Sequence, residues 1–310
     1  MFTGAVLRSG RGVRRLTAQH RTVSKFFPVE NYALAETLTS GQAFRWRKVD
    51  GGWESVVHGR WVRLTEKPGG ISANAIAGEQ RNWAWLNEYL QLDVDLAAVI
   101  ESFPNDEHLR RAAEECRGLR LLKQEPWECL ASFILSSTKQ IVQIQQIVAL
   151  ICARFGERVD APGDAVWFSF PSVDSIAALS ETELRCCKMG FRAPYLKGTA
   201  EMIVRGEVNL EAIREMDVAR ARSELMRFPG VGRKIADCVL LFAYGFQEAF
   251  PVDVWVLKAV RELYFPRRRP NAKKVLKFTE TYFGANAGYA QQYLFHYMRT
   301  RIGRGKKDKR

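Results

Sequence analysis

The sequence is poor in metal-binding side chains at metal-binding spacings. Its four histidines are scattered, and its six cysteines form neither a C-x-x-C pair nor a Cys/His cluster. This pattern excludes a zinc site and a closely spaced four-cysteine cluster site, and it gives no disulfide framework. We therefore predict a reduced intracellular protein. The cysteines are Cys116, Cys129, Cys152, Cys186, Cys187 and Cys238.

Long hydrophobic runs and acidic residues are also scarce. No apolar run approaches the roughly 18 residues of a membrane span, so we expect no membrane partner. The 310 residues include 47 basic and 34 acidic side chains, a formal net charge of +13. That imbalance favours a polyanionic partner, although by itself it indicates only non-specific attraction. The length suits one large or two ordinary domains.

The first 29 residues contain no acid, and the first carboxylate is that of Glu30. Interspersed serine and threonine make this composition typical of a mitochondrial transit peptide in a eukaryote, or of a disordered arm in a bacterium. We treat residues 1–25 as a disordered or targeting arm. The expected location is the nucleus or mitochondrion in a eukaryote and the cytoplasm, at the nucleoid, in a bacterium. The basic residues are Arg8, Arg11, Arg14, Arg15, Arg21 and Lys25.

Two kinds of hydrophobic pattern divide the rest of the chain. Alternating segments at 44–47, 53–57 and 61–64, separated by glycine-containing turns, predict an antiparallel meander. From Pro126 onward helical spacing dominates, for example over 141–155. We therefore predict an α+β lobe over 26–120, a helical domain over 121–301 and a basic, disordered tail over 302–310.

A helical hairpin is predicted around Pro229-Gly230-Val231-Gly232. Hydrophobic residues recur at helical spacing on both sides, whereas proline and two glycines cannot continue a helix. Such a turn exposes backbone N–H groups at the start of the second helix. Together with the helix dipole they form a site for a phosphate.

Two residues near this hairpin carry reactive groups. Lys234 falls in the first turn of the second helix, where the positive end of the dipole disfavours an ammonium ion, and a desolvated amine is a Schiff-base nucleophile. Asp253 follows a proline and a valine at an expected N-cap. Considered alone, Lys234 fits a solvated lysine on a DNA-facing helix as well as it fits a nucleophile. Considered alone, Asp253 fits an ordinary helix cap better than a catalytic residue. Their combination favours a catalytic pair.

The hairpin with Lys234 and Asp253 resembles the lysine-bearing branch of the helix-hairpin-helix Gly/Pro–Asp superfamily of base-excision DNA glycosylases. Further stretches resemble its 8-oxoguanine DNA glycosylase/AP lyase family. The resemblance implies an N-terminal antiparallel β-sheet lobe with flanking helices, packed on a mainly α body. It also implies a monomer without a cofactor, acting on duplex DNA that contains 8-oxoguanine. The stretches are SGQAFRW (40–46), YLQLD (89–93), GLRLL (118–122), CLASFILSS (129–137) and MGFRA (189–193).

The resemblance also assigns a mechanism and a base pocket. Asp253 stabilises the cationic sugar, and Lys234 captures C1′ as a Schiff base from which the 3′ phosphate is eliminated. The carbonyl of Gly41 accepts the N7–H that guanine lacks, and Gln291 reads the Watson–Crick edge. Cys238 and Phe295 match the residues that stack on the two faces of the base. The alternative for these two side chains is core packing. The expected pocket residues are Gly41, Cys238, Phe242, Gln291 and Phe295.

Contacts to DNA outside the pocket are implied as well. The hairpin binds phosphate, and backbone carbonyls of Met226, Phe228 and Val231 hold a weak structural cation. The family has an arginine where this chain has Gln143, so Arg192 remains as one of two arginines that grip the base opposite the lesion. We therefore expect weaker opposite-base discrimination. The expected DNA-binding residues are Gly230, Gly232, Thr138, Gln143, Phe191 and Arg192.

Two other functions stay open on the sequence alone. An alkylpurine DNA glycosylase of the same superfamily would keep Asp253 but would not need Lys234. A non-catalytic helix-hairpin-helix DNA-binding protein would need neither side chain. Retention of the pair together with Gly41 and Gln291 favours the lysine-dependent enzyme.

Overall fold

A computed structural model describes residues 21–78, 82–268 and 270–307, and describes side chains as far as residue 300. Most of the predicted arm over 1–25 and the last three residues of the predicted tail lie outside these ranges. The arm prediction reaches too far, because strand β1 begins at Thr22. None of the described helices combines the length and apolar character that a membrane span requires.

The N-terminal lobe is built on a five-stranded antiparallel sheet in the order β1-β5-β4-β3-β2. The inner strands β3 and β4 confirm the segments predicted at 53–57 and 61–64. The two strands at the other side, β1 and β5, were not predicted. The bounds are β1 Thr22–Pro28, β2 Arg47–Val49, β3 Gly52–Val57, β4 Arg60–Lys67 and β5 Gly70–Ile76.

The strand predicted at 44–47 is wrong, because only Arg47 belongs to a strand. Its alternation has a different cause: the two aromatic side chains are buried in different cores. Phe44 packs edge-on against Phe133 of the helical body. Trp46 lies in the core of the lobe, where its Nε1 donates to the hydroxyl of Tyr89 at 2.9 Å.

Fourteen helices make up most of the remaining described chain, with a two-stranded ribbon of β6 Arg158–Val159 and β7 Trp167–Phe168. The bounds predicted at 141–155 are those of α6. Glu211–Glu215, within the predicted helical domain, forms a 3₁₀ helix. The helices are α1 Leu34–Thr39, α2 Ala84–Leu90, α3 Leu96–Glu101, α4 Glu107–Glu115, α5 Pro126–Leu135, α6 Ile141–Phe155, α7 Val173–Ala178, α8 Glu181–Arg185, α9 Ala193–Val204, α10 Val218–Leu225, α11 Arg233–Val239, α12 Val254–Tyr264, α13 Ala272–Tyr282 and α14 Ala287–Lys307.

Two hydrophobic cores hold the lobe and the body, and the boundary between them is not a single point in the sequence. Leu96 and Leu109 lie within the predicted lobe, yet they belong to the core of the body. Helix α14 closes the body. It continues to Lys307, so it includes part of the tail predicted as disordered from 302.

Gln42 connects the lobe to the body through its fully buried amide. Its Nε2 donates to the carbonyl of Arg120 at 2.8 Å, and its Oε1 accepts from the N–H of Leu122 at 2.8 Å. Its backbone carbonyl accepts from Nε2 of Gln124, also at 2.8 Å. Buried hydrogen bonds of this kind are costly to lose, because each unpaired group would be desolvated without compensation. They fix the position of the neighbouring Gly41.

Gly118 provides a test of this junction. It has φ +84°, and an added Cβ would lie 2.8 Å from the backbone N of Ala33. We expect Gly118→Ala to lower the free energy of unfolding by roughly 2–4 kcal/mol, from backbone strain plus the clash. Gly206 has φ +71° with open space around its Cβ position, so Gly206→Ala should cost about 1–2 kcal/mol. Urea unfolding measures both. Equal losses would contradict a close approach at Gly118.

Candidate functional site

A cavity of about 910 Å³ opens where α5, α6, α11, α12, α13 and α14 approach one another. Gly41 from the lobe and Lys234, Asp253 and Phe295 from the body all line it. The structure therefore brings both predicted catalytic residues and two predicted pocket residues to one place.

Lys234 lies in the first turn of α11, as predicted, since Gly232 is the N-cap of that helix. Its Nζ donates to Oγ of Ser136 at 3.3 Å and lies 5.2 Å from the ring centroid of Phe133. The same Oγ donates to the carbonyl of Phe133 at 2.6 Å. The amine is thus held against an aromatic wall by one hydroxyl group that α5 positions.

Asp253 is the N-cap of α12, as predicted. Its Oδ1 accepts from the backbone N–H groups of Trp255 at 2.9 Å and Val256 at 2.8 Å. Burial raises the pKa of the Asp253 carboxyl, and the cap hydrogen bonds and the charge of Lys234 only partly oppose this effect. Both hydrogen bonds use Oδ1, which leaves Oδ2 as a second acceptor. Asp253 therefore caps α12 through Oδ1 and has a second carboxylate oxygen for a ligand in the cavity.

Gly41 lies where the lobe meets α6 and α14. Its φ is +86°, and an added Cβ would be 2.7 Å from Cδ1 of Ile141. The same position is 3.5 Å from Cε1 of Phe295 and 3.5 Å from Nη1 of Arg299. A side chain would therefore be strained and would fill this end of the cavity, so that only glycine leaves its backbone exposed there.

The other three predicted pocket residues lie behind the cavity wall. Phe242 is 3 % exposed and stacks on Phe133, with ring centroids 5.6 Å apart. Cys238 is also buried, and burial raises the pKa of its thiol to about 12 while nearby Lys234 lowers it. Gln291 is 4 % exposed, and its Oε1 has no hydrogen-bond partner among the described residues. An unpaired buried acceptor is costly and indicates a missing donor.

The hairpin forms at the predicted turn. Gly230 has φ +74°, and the ring of Tyr195 occupies the space where a Cβ would be. At Gly232 a Cβ would meet nothing within 4 Å, so the start of α11 is open to a ligand. The carbonyl of Phe228 accepts from the N–H of Val231 at 3.1 Å. The predicted cation at the carbonyls of Met226, Phe228 and Val231 stays a prediction.

The residues predicted to contact the opposite strand divide into two groups. Phe191 is 52 % exposed, and the guanidinium of Arg192 lies 4.1 Å from its ring centroid. Arg192 itself is buried, and donates to Oγ1 of Thr138 at 2.6 Å and to the carbonyl of Ser137. Gln143 lies apart on α6, where its Oε1 accepts from the N–H of Gln140 at 3.1 Å. Arg192 thus holds the loop at 137–138 in this structure.

An ionic network that the sequence analysis missed fixes α11. Asp237 is 1 % exposed and accepts from Nε of Arg222 at 2.6 Å, with Arg233 at 3.6 Å. Arg233 also pairs with Glu280 of α13 at 2.6 Å. Burial raises the pKa of the Asp237 carboxyl, and Arg222 opposes this most strongly. The spacing of Arg233 and Asp237 on one helix was the available signal.

Comparison with known proteins gives a consistent result over both lobes. The family model described as 8-oxoguanine DNA glycosylase, N-terminal domain, matches residues 26–130. The model described as HhH-GPD superfamily base excision DNA repair protein matches residues 131–284. A probable N-glycosylase/DNA lyase of Methanothermobacter thermautotrophicus is 30% identical over an alignment 304 positions long. The alignment covers 88% of this chain and 95% of that protein.

Solved structures agree with this match. The 8-oxoguanine glycosylase/lyase of Clostridium acetobutylicum, in complex with DNA containing cytosine opposite 8-oxoguanine, has a TM-score of 0.84 and 33% identity. The match covers 90% of this chain and 98% of that one. MBOgg1 bound to a low-affinity DNA ligand has a TM-score of 0.85 and 31% identity, over 90% and 96% of the two chains.

The raised pKa of Asp253 leads to a stability prediction. The folded state disfavours the carboxylate, so its cost is fully present above the folded pKa and vanishes below the ordinary value of about 3.9. Asp253→Asn keeps a capping oxygen without the charge. We expect this variant to be at least as stable as the wild type at pH 7, with the difference shrinking toward pH 4.

The matched control is Asp253→Ala, which loses the cap and should be less stable by about 1 kcal/mol. Thermal or urea unfolding at both pH values measures these differences. If Asp253→Asn were as destabilised at pH 7 as Asp253→Ala, burial of the Asp253 charge would not lower the free energy of unfolding.

Proposed function

The chain belongs to the 8-oxoguanine DNA glycosylase family of the HhH-GPD base-excision superfamily, and we propose that its cavity excises 8-oxoguanine from duplex DNA. The enzyme is a DNA N-glycosylase with AP lyase activity. The observation that carries this assignment is the meeting of Lys234, Asp253 and Gly41 in one cavity. An alkylpurine glycosylase would have no use for an amine at this position, and a binding module would have no use for the cavity.

Removal of a base requires that the nucleotide leave the helical stack, which costs a few kcal/mol. The start of α11 offers N–H groups and a positive dipole end to a phosphate of the flipped nucleotide. The cavity of about 910 Å³ is large enough for a base and its sugar. Phe295 offers a ring for stacking, and the basic surface of a chain with net charge +13 attracts the duplex.

We propose that Gln291 recognises the guanine ring. Its buried Oε1 lacks a donor, and the Watson–Crick edge of guanine presents N–H donors. A base seated against Phe295 would supply the missing hydrogen bond. Other bases place their donors and acceptors in a different order along this edge, so Gln291 would pair with them in a different geometry.

The chemistry assigns one role to each charged group. As the glycosidic C1′–N9 bond breaks, the departing base takes up a proton and the sugar becomes cationic. The carboxylate of Asp253 stabilises this charge. The amine of Lys234 bonds to C1′ through its nitrogen lone pair, and the proton that this nitrogen loses passes to the departing base. The sugar ring then opens as O4′ takes up a proton, which gives the Schiff base.

Strand cleavage follows from the same intermediate. The Schiff base acidifies the C2′–H bond; loss of that proton expels the 3′ phosphate, and water then releases Lys234. These steps need no metal or redox cofactor. We further propose that a monomer carries them out, with Phe191 filling the gap left in the duplex because its ring is exposed beside the hairpin.

Lys234→Gln tests the assignment of the nucleophile. With 8-oxoguanine duplex and sodium borohydride, the wild type should form a covalent protein–DNA adduct and Lys234→Gln should form none. Binding of a non-cleavable duplex should change by less than about threefold, because backbone groups hold the phosphate.

Lys139 lines the same cavity and provides the control. Lys139→Gln removes an amine from the same space and should retain adduct formation. Trapping that persists in Lys234→Gln but disappears in Lys139→Gln would place the nucleophile on the loop instead.

A further inference from the structure

One face of α14 presents three side chains to the cavity region, each one turn from the next. They are Gln291, Phe295 and Arg299, at i, i+4 and i+8. Phe295 and Arg299 line the cavity, and Gln291 is buried one turn before Phe295. Since Gln291 and Phe295 already have roles in holding the base, Arg299 occupies the next position along the same edge.

The guanidinium of Arg299 has few hydrogen-bond partners within the protein. Its Nη1 donates to the carbonyl of Thr39 at 3.4 Å, a long hydrogen bond. In the described part of the chain no carboxylate pairs with it. Burial lowers the pKa of its guanidinium, so the surrounding protein does not favour the charge. A half-buried cation with several N–H donors and one long hydrogen bond is suited to receive an acceptor from a ligand.

The acceptor that fits is defined by the neighbouring backbone. Nη1 of Arg299 lies 3.5 Å from the Cβ position of Gly41. The carbonyl of Gly41 receives no hydrogen bond from residues in the described ranges. Thus a donor and an acceptor stand side by side at one end of the cavity. 8-Oxoguanine differs from guanine in having the same pair on adjacent atoms: a carbonyl oxygen on C8 and a hydrogen on N7.

We propose that Arg299 is a specificity-determining residue that donates a hydrogen bond to the C8 carbonyl oxygen of the flipped 8-oxopurine. The carbonyl of Gly41 accepts the N7–H in the same complex. This inference rests on the proposed function of the cavity. Guanine has a C–H at position 8, so it offers Arg299 no acceptor and leaves it with its long hydrogen bond. Its N7 carries a lone pair, so N7 and the Gly41 carbonyl would face each other as two acceptors.

A contact with the C8 oxygen requires the base, whereas a contact with the DNA backbone does not. The test therefore compares two substrates in single-turnover reactions: duplex containing 8-oxoguanine, and duplex containing a preformed abasic site. For Arg299→Leu we expect the ratio of the excision rate to the abasic-site cleavage rate to fall about 10- to 100-fold. Arg299→Lys retains a cation and should recover part of that ratio.

Discrimination in binding gives a second readout. Non-cleavable 2′-fluoro duplexes with 8-oxoguanine or guanine are titrated against each protein. The ratio of the two affinities should fall by about tenfold or more in Arg299→Leu, because only the lesion loses a partner. A melting curve of each variant establishes that it is folded.

Three results would overturn the inference. Equal loss on both cleavage substrates would make Arg299 a phosphate contact. Unchanged rates and an unchanged affinity ratio would leave it without a role in recognition, and Arg299→Lys behaving like Arg299→Leu would exclude a donated hydrogen bond. Failure of the proposed function is separate, since the wild type would then release no 8-oxoguanine and form no borohydride adduct.

Discussion

The proposed chemistry depends on two helix starts that open into the same cavity. Helix α11 begins at the glycine hairpin and carries Lys234 in its first turn, and α12 begins at Asp253. The start of α11 has no side-chain cap, whereas the N–H groups of Trp255 and Val256 at the start of α12 donate to the carboxylate of Asp253. The arrangement joins an anion site, an amine and a carboxylate in a volume that fits one nucleotide.

The rest of the structure holds these two starts in place. Asp237 binds α11 to α10 through a buried ion pair with Arg222, and removal of one partner from such a pair is strongly destabilising. Arg233 of α11 adds an exposed ion pair with Glu280 of α13. From the other side, the buried amide of Gln42 fixes the loop that carries Gly41. In the proposed function the lobe contributes Gly41 to recognition, and the body contributes the reacting groups and the rest of the base pocket. The buried charge of Asp253 is a cost to folding that its role in the cavity explains.

The sequence predicted the reacting groups better than their surroundings. The hairpin, the first-turn position of Lys234 and the cap at Asp253 follow from local rules about glycine, proline and helix ends, so they were predictable. Strand β1 was not, because among its residues only Phe27 is buried and alternation is absent. Arg299 was missed for another reason: it lies near the end of the predicted helical domain, where a basic residue ordinarily faces solvent. Only the packing of α14 on Gly41 brings it into the cavity.

We propose that the amine of Lys234 is the group that bonds to the sugar. The most direct measurement is peptide mapping by mass spectrometry of the wild-type adduct, reduced with borohydride on 8-oxoguanine DNA and digested to a short nucleotide remnant. We expect the remnant on the peptide that contains Lys234, with Lys139 unmodified. A remnant on Lys139, or on the α-amino group, would contradict it.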